Sequence, residues 1–338
     1  VLVGLLVGAA AVQLPGNAGT PHAGWGAAAG VFLLGGHLFS LASGMLCLRR
    51  HPVGTPLRGY WPRRLLALGV PYLAWTLLYL ALAAGLGHLA APDGGGAYWW
   101  MAALGAGPTR FVHALLQFYL LFPLLRWLWA RADPTVLVLS AFLAGIGWLE
   151  GASRVVPTVL PGDWLPLWPA QTGCVLAWLP SFVLGMWVGE HLESLRDRVA
   201  WPSPLTVAVA TLLSVLAAYL SVRAGLAAGP DAGLLRGGPM VALGAFLLWL
   251  PVLGGFVLHA PPGTPATLAR ELGSVSPGVY FAAPLPLMLA RQFVPAGSPW
   301  MMLAVLSLAV LTGLALILFV FRLHPLGYWL LGMLRQSR

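Results

Sequence analysis

Arg110, His113 and Gln117 stand at i, i+3 and i+7 at the start of an apolar stretch, so on a helix they share one face, with His113 and Gln117 one turn apart. An imidazole takes a hydroxyl proton near neutral pH, and a nearby guanidinium holds an anionic intermediate. A base at His113, oriented by Gln117 and with an oxyanion steadied by Arg110, is chemistry suited to group transfer onto a hydroxyl. The plainer alternative is an interfacial arginine reaching outward and a His–Gln pair bonding neighbouring helices. His37, in Gly35-Gly36-His37, is a second ionisable group set among apolar residues, and again either a working base or an interhelix hydrogen bond. Arg58, Arg63 and Arg64 lie in a link that holds no acid. Guanidinium forks suit phosphate oxygens, which points to a phosphorylated donor such as a nucleotide-containing thioester; the alternative is an ordinary basic loop at a membrane face. Ser276 and Tyr280 fall one turn apart beside Pro277-Gly278, either at a helix kink or as a hydroxyl pair facing a cavity.

Those few polar groups sit in 338 residues that are 59% hydrophobic and only 8% charged. Apolar runs near 1–14, 25–48, 64–89, 110–131, 135–150, 172–190, 204–226, 237–260, 270–291 and 300–322 predict about ten transmembrane helices. The fold class is therefore all-α, a polytopic membrane bundle forming a single domain over 1–338. The first run is short for a span, which predicts that the chain starts inside its first helix, where Gln13 is the polar side chain. Turn chemistry separates the runs, as in Pro15-Gly16-Asn17, Asp93-Gly94-Gly95-Gly96, Pro161-Gly162-Asp163 and Gly229-Pro230-Asp231.

All eighteen basic residues are arginine. Placing the link from Leu48 to Arg64 in the cytoplasm and alternating from there puts thirteen arginines inside and five outside, with both termini cytoplasmic. The net charge of +9 then reflects loops against anionic headgroups, and nucleic acid is excluded as a partner. Cys47 and Cys174 fall at opposite membrane faces and form neither a disulfide framework nor a metal site. A dinucleotide glycine fingerprint, a Walker loop, zinc-ligand spacing and Gly-x-Ser-x-Gly are all missing. Paired broken helices of the kind found in many secondary transporters are not evident either.

Taken in order, several segments resemble the integral-membrane acyltransferase family 3. Phe39-Ser40-Leu41-Ala42-Ser43-Gly44 is similar to its second-helix Phe-Phe-x-x-Ser-Gly segment. Arg63-Arg64 leading to Pro71-Tyr72 resembles the arginine segment of its third helix, and Leu115-Leu116-Gln117-Phe118-Tyr119-Leu120-Leu121-Phe122-Pro123 resembles its fourth. Phe182-Val183-Leu184-Gly185-Met186 and Leu272 to Tyr280 are similar to its later blocks. The resemblance implies a bundle of about ten helices that moves an acyl group, commonly acetyl, from cytoplasmic acyl-CoA to a hydroxyl of an extracytoplasmic glycan or similar acceptor, in a bacterial inner membrane. It carries over Arg64 as the first arginine of the family's Arg-x-x-Arg pair. The second position is Ala67, the first helix has no histidine, and Ala283-Pro284 stands where relatives often carry His-Pro. Fold-level likeness does not transmit activity where site residues differ. Two further readings therefore stay open: a catalytically silent relative that binds or transports an acylated or glycan substrate, and an unrelated multi-pass transporter.

Overall fold

The computed structural model describes residues 34–85, 110–159, 174–200, 202–227, 243–252, 254–255 and 259, and among them every regular element is helical. In chain order these are α1 (Leu34–Arg50), α2 (Tyr60–Arg64), α3 (Val70–Gly85), α4 (Arg110–Trp129), α5 (Pro134–Val159), α6 (Val175–Arg198), α7 (Pro204–Ala227) and α8 (Leu243–Val252). The expected runs at 1–14, 270–291 and 300–322 lie outside the described residues, and with them Gln13, Ser276 and Tyr280. Within α4 and α6, Val112–Trp129 and Val175–Arg198 are long and apolar enough to cross a bilayer.

A single π-helical turn, Leu65–Gly69, joins α2 to α3. Pro71 has no amide hydrogen, so the carbonyl four residues back loses its usual partner, and the widened turn falls on that stretch. Two boundaries differ from the sequence expectation. The fifth helix, expected to end at 150, runs to Val159, because glycine and proline interrupt helices in water far more than in apolar surroundings. The link expected over 190–203 is helical to Arg198. Its glutamates, leucines and arginines are good helix formers, and two contacts hold it: Trp129 Nε1 donates to Glu190 at 2.9 Å, and Arg49 pairs with Glu193 at 3.7 Å.

α1 and α6 form the most extensive helix pair among the described elements. They run parallel in constant register, His37 against Ser181, Leu41 against Gly185, Met45 against Gly189 and Arg49 against Glu193. The small residues Ser181, Gly185 and Gly189 recur every fourth position, so one edge of α6 carries almost no side-chain volume. A methyl group on Gly185 would run into the Leu41 backbone, and one on Gly44 into the Phe182 carbonyl.

α4 packs beside this pair. Phe118 stacks on Phe182 with ring centroids 4.3 Å apart and planes 3° from parallel, and Phe122 and Met186 are fully buried beside them. α4 is parallel to α6, since Gln117 meets Val175 near the start and Trp129 meets Glu190 near the end. It is antiparallel to the α2–α3 helix, which meets it at Tyr72–His113 and again at Arg64–Tyr119. On the outside, Leu73 and Leu77, Leu139 and Leu143, and Leu205 and Leu212 are exposed at 57–72%. Such apolar outer faces suit lipid, where helix association rests on packing and interhelix hydrogen bonds rather than on escape from water.

Candidate functional site

Polar side chains collect at two levels of the bundle. Toward the starts of α1, α4 and α6, His37 Nδ1 lies 2.6 Å from the Ser181 hydroxyl, with both residues buried. The His37 ring is walled by Trp178 at 4.6 Å and Phe246 of α8 at 5.4 Å between centroids. The Ser40 hydroxyl, one turn along α1, is buried with no hydrogen-bond partner among the described residues. Imidazole, two hydroxyls and aromatic walls make a compact polar centre in an apolar interior.

His113 stands at another interface, between α4 and α3, and is partly exposed. Its Nδ1 makes a long contact of 3.4 Å with the Tyr72 hydroxyl. Tyr72 and Val112 are buried there with Leu68, Trp75 and Leu116 around them. Gln117 lies one turn further along α4, and its side-chain carbonyl accepts the Val175 amide at 2.9 Å. That amide opens α6, where the N-cap residue Cys174 supplies no side-chain bond. A neighbouring helix thus caps α6 across the interface, because an amide left bare in apolar surroundings is costly. Arg110 is the first residue of α4. His37 and His113 therefore occupy separate interfaces, while Tyr72 joins His113, a partner not singled out from the sequence.

The second level is the arginine-rich end. The link 51–59 is folded tightly: Thr55 donates its hydroxyl and its amide to the Pro52 carbonyl at 2.8 and 3.2 Å, and Gly54 and Gly59 take positive φ of 90° and 71°. At those angles a side chain would strain the backbone, so glycine is needed at both. Tyr60 is packed inside against Phe122, with ring centroids 5.4 Å apart. Burial, then the adjacent Cys47 thiol, push its hydroxyl above the usual tyrosine range. The Arg64 guanidinium sits 5.0 Å from the centre of the Tyr119 ring, a cation–π contact. The Tyr119 side chain lies near Ser43 of α1. Arg63 lies in α2 beside Arg64, and Arg58 is exposed on the link.

One buried group went unremarked in the sequence. Arg126, near the end of α4, is only 8% exposed and donates from Nη2 to the Thr55 carbonyl. Its signal was present: it is an arginine one turn inside an apolar helix, but it reads equally as a positive-inside residue.

Among the described residues, helices with lipid-suited outer faces, arginines gathered at one end, and His37 and His113 toward the other define a membrane protein with a cationic level separate from those two imidazoles. Residues 11–321, more than nine-tenths of the chain, match the family described as the acyltransferase domain, and the chain belongs to that family. No curated protein and no solved structure matches it. The family membership makes it a membrane protein of the acyltransferase class.

Proposed function

We infer that the protein is a membrane O-acyltransferase that moves an acyl group, in the simplest case acetyl, from cytoplasmic acyl-CoA to a hydroxyl of an extracytoplasmic glycan or similar acceptor. The observation that carries this is the family match over 11–321. The reading includes a single domain of ten helices in a bacterial inner membrane with both termini cytoplasmic. Arg58, Arg63 and Arg64 meet the donor phosphates at the cytoplasmic mouth, where guanidinium forks suit them. Six helical residues separate His113 from Tyr119, beneath the Arg64 guanidinium, a rise of about 9 Å along α4. The thioester therefore reaches His113 by threading its arm inward along that helix.

In the reaction, His113 takes the acceptor hydroxyl proton as the oxygen attacks the thioester carbonyl. Arg110 steadies the oxyanion, the tetrahedral intermediate expels the CoA thiolate, and the proton passes from His113 to that thiolate. Tyr72 and Gln117 hold the base side of α4; Gln13, Ser276 and Tyr280, outside the described residues, are the further candidate cavity residues. His37 is the rival base. Labelled acetyl-CoA and an envelope-glycan extract, supplied to the protein in liposomes, test the assignment with His113→Ala, His37→Ala and Arg64→Ala beside the parent. Loss of a general base lowers turnover by roughly 10²–10⁴-fold, so that fall in His113→Ala supports the scheme. Turnover surviving both histidine substitutions removes it.

A second reading is a silent relative that binds or transports an acylated or glycan substrate. The enclosure of His37 by Ser181, Trp178 and Phe246 favours it, since that imidazole already serves as a helix–helix bond. It predicts CoA binding without turnover and indifference of that binding to His113→Ala.

A further inference from the structure

Arg126 is a charged side chain more than nine-tenths buried whose Nη1 has no hydrogen-bond partner among the described residues. A guanidinium does not lose its proton in a protein. Burial of its charge without a counter-ion is strongly unfavourable. Of the described carboxylates near this end, Glu190 bonds Trp129, Glu193 pairs with Arg49, Asp133 takes the first amides of α5, and Asp197 is exposed at the end of α6. Among the described residues the one ion pair is Arg49–Glu193, which leaves Arg126 without an acid.

The surroundings are built rather than incidental. Nη2 is held by the Thr55 carbonyl, so the plane of the guanidinium is set by an ordered link that itself depends on two positive-φ glycines. One turn earlier on α4, Phe122 packs against Tyr60, which opens α2, and His51 of the same link, at 5.4 and 6.5 Å between centroids. Arg58 is exposed on that link, and Arg49 and Arg50 are exposed where it begins. The link and its approach therefore add three further positive charges to this end of the bundle.

We propose that Arg126 and the link 51–59 form an anion subsite in which Nη1 binds one oxygen of a phosphate group while Nη2 keeps the link in place. Phosphate fits better than carboxylate because several oxygens serve Nη1 and the exposed arginines together. Two sources present that chemistry at this end of the bundle: the phosphates of a soluble nucleotide-bearing donor, and the headgroup of an anionic lipid. The subsite does not depend on catalysis, so it stands or falls separately from the transferase reading.

The protein, with Arg126→Gln, Arg126→Lys and, as control, Arg196→Gln at an exposed arginine near the end of α6, is tested in two arms. In delipidated detergent solution, CoA is titrated calorimetrically. In nanodiscs of phosphatidylglycerol or phosphatidylcholine, retained lipid is counted by native mass spectrometry. At least tenfold weaker CoA binding in Arg126→Gln, partly restored in Arg126→Lys, with Arg196→Gln far less affected, supports the subsite and assigns it to the soluble donor. Phosphatidylglycerol retained by the parent and lost from Arg126→Gln, with phosphatidylcholine unaffected, supports it and assigns it to lipid. Should Arg126→Gln not fold, Arg126→Lys carries the test, because it keeps the charge and loses the fork, and a threefold or greater loss of either ligand is then expected. Equal binding of both ligands by parent and folded variants, or binding of neither by the parent, overturns the proposal.

Discussion

Gly185→Ala tests the packing that aligns both polar levels. An added methyl carbon would lie 2.7 Å from the Leu41 carbonyl carbon and 2.9 Å from its Cα, with the carbonyl oxygen closer still. Ordinary contact needs 3.4 Å or more, so α1 and α6 must part by at least 0.7 Å, and by more to clear the oxygen. The obstacle is backbone and has no rotamer to escape into. One turn away, the His37–Ser181 bond of 2.6 Å lies in the same register and lengthens past the normal hydrogen-bond range. Overpacking costs about 1–3 kcal/mol, and an interhelix hydrogen bond in lipid adds about 0.6 kcal/mol. A loss of about 2–3 kcal/mol is expected, roughly one and a half to two decades in the folding equilibrium. Tryptophan fluorescence during detergent-induced unfolding in mixed micelles measures it. Gly147→Ala is the matched control, because its methyl meets nothing within 4 Å on an exposed face of α5. There alanine gains about 0.5–1 kcal/mol as the better helix former. Gly185→Ala unfolding within about 0.5 kcal/mol of the parent would refute the reasoning, as would an equal loss in Gly147→Ala.

Gln117→Leu keeps the bulk but leaves the Val175 amide bare; a loss of about 1–3 kcal/mol is expected, with faster hydrogen exchange at that amide, and unchanged protection there counts against the cross-helix cap. Arg64→Gln removes the cation over Tyr119 and should cost about 0.5–2 kcal/mol, with Arg64→Lys retaining most of it; equal unfolding of all three proteins rejects the contact. Asp133 accepts the Thr135 and Val136 amides at 2.7 and 3.4 Å, and the Thr135 bonds, chiefly, hold its carboxyl below the ordinary value. A depressed folded-state pKa gives stability that is full above the unfolded value and lost as pH falls through the folded one, so below roughly pH 4 the start of α5 loosens. Asp133→Asn keeps an acceptor and removes that pH dependence, and amide exchange at Thr135 that tracks pH equally in both proteins contradicts the assignment.

Much of the bundle was legible because lipid imposes one simple demand, a long apolar run for every crossing. The starts of α4, α5, α6 and α7 fall within three residues of the sequence expectation for that reason. The ends were harder. Past residue 190, α6 continues as Glu-His-Leu-Glu-Ser-Leu-Arg-Asp-Arg, polar enough to look like a link, yet helical by propensity and tied down by Arg49 and Trp129. Hydropathy detects where a chain leaves the bilayer and says nothing about where its hydrogen-bond ladder stops.

The candidate site shows the same limit in another form. Helical spacing correctly set His113 and Gln117 one turn apart on α4, but spacing acts only within an element. What each side chain meets is decided between elements: Val175 needs an acceptor for an amide that no residue of its own helix can serve, and Gln117 supplies it. Arg126 follows the same logic with the sign reversed. Counted along the chain it is one more cytoplasmic arginine, but packed beneath Thr55 it becomes a buried cation with one donor unmet. A bilayer protein with so few charges tolerates such a group only where something completes it. A buried donor without a partner therefore marks a ligand position more strongly than the exposed arginines around it, which water already satisfies.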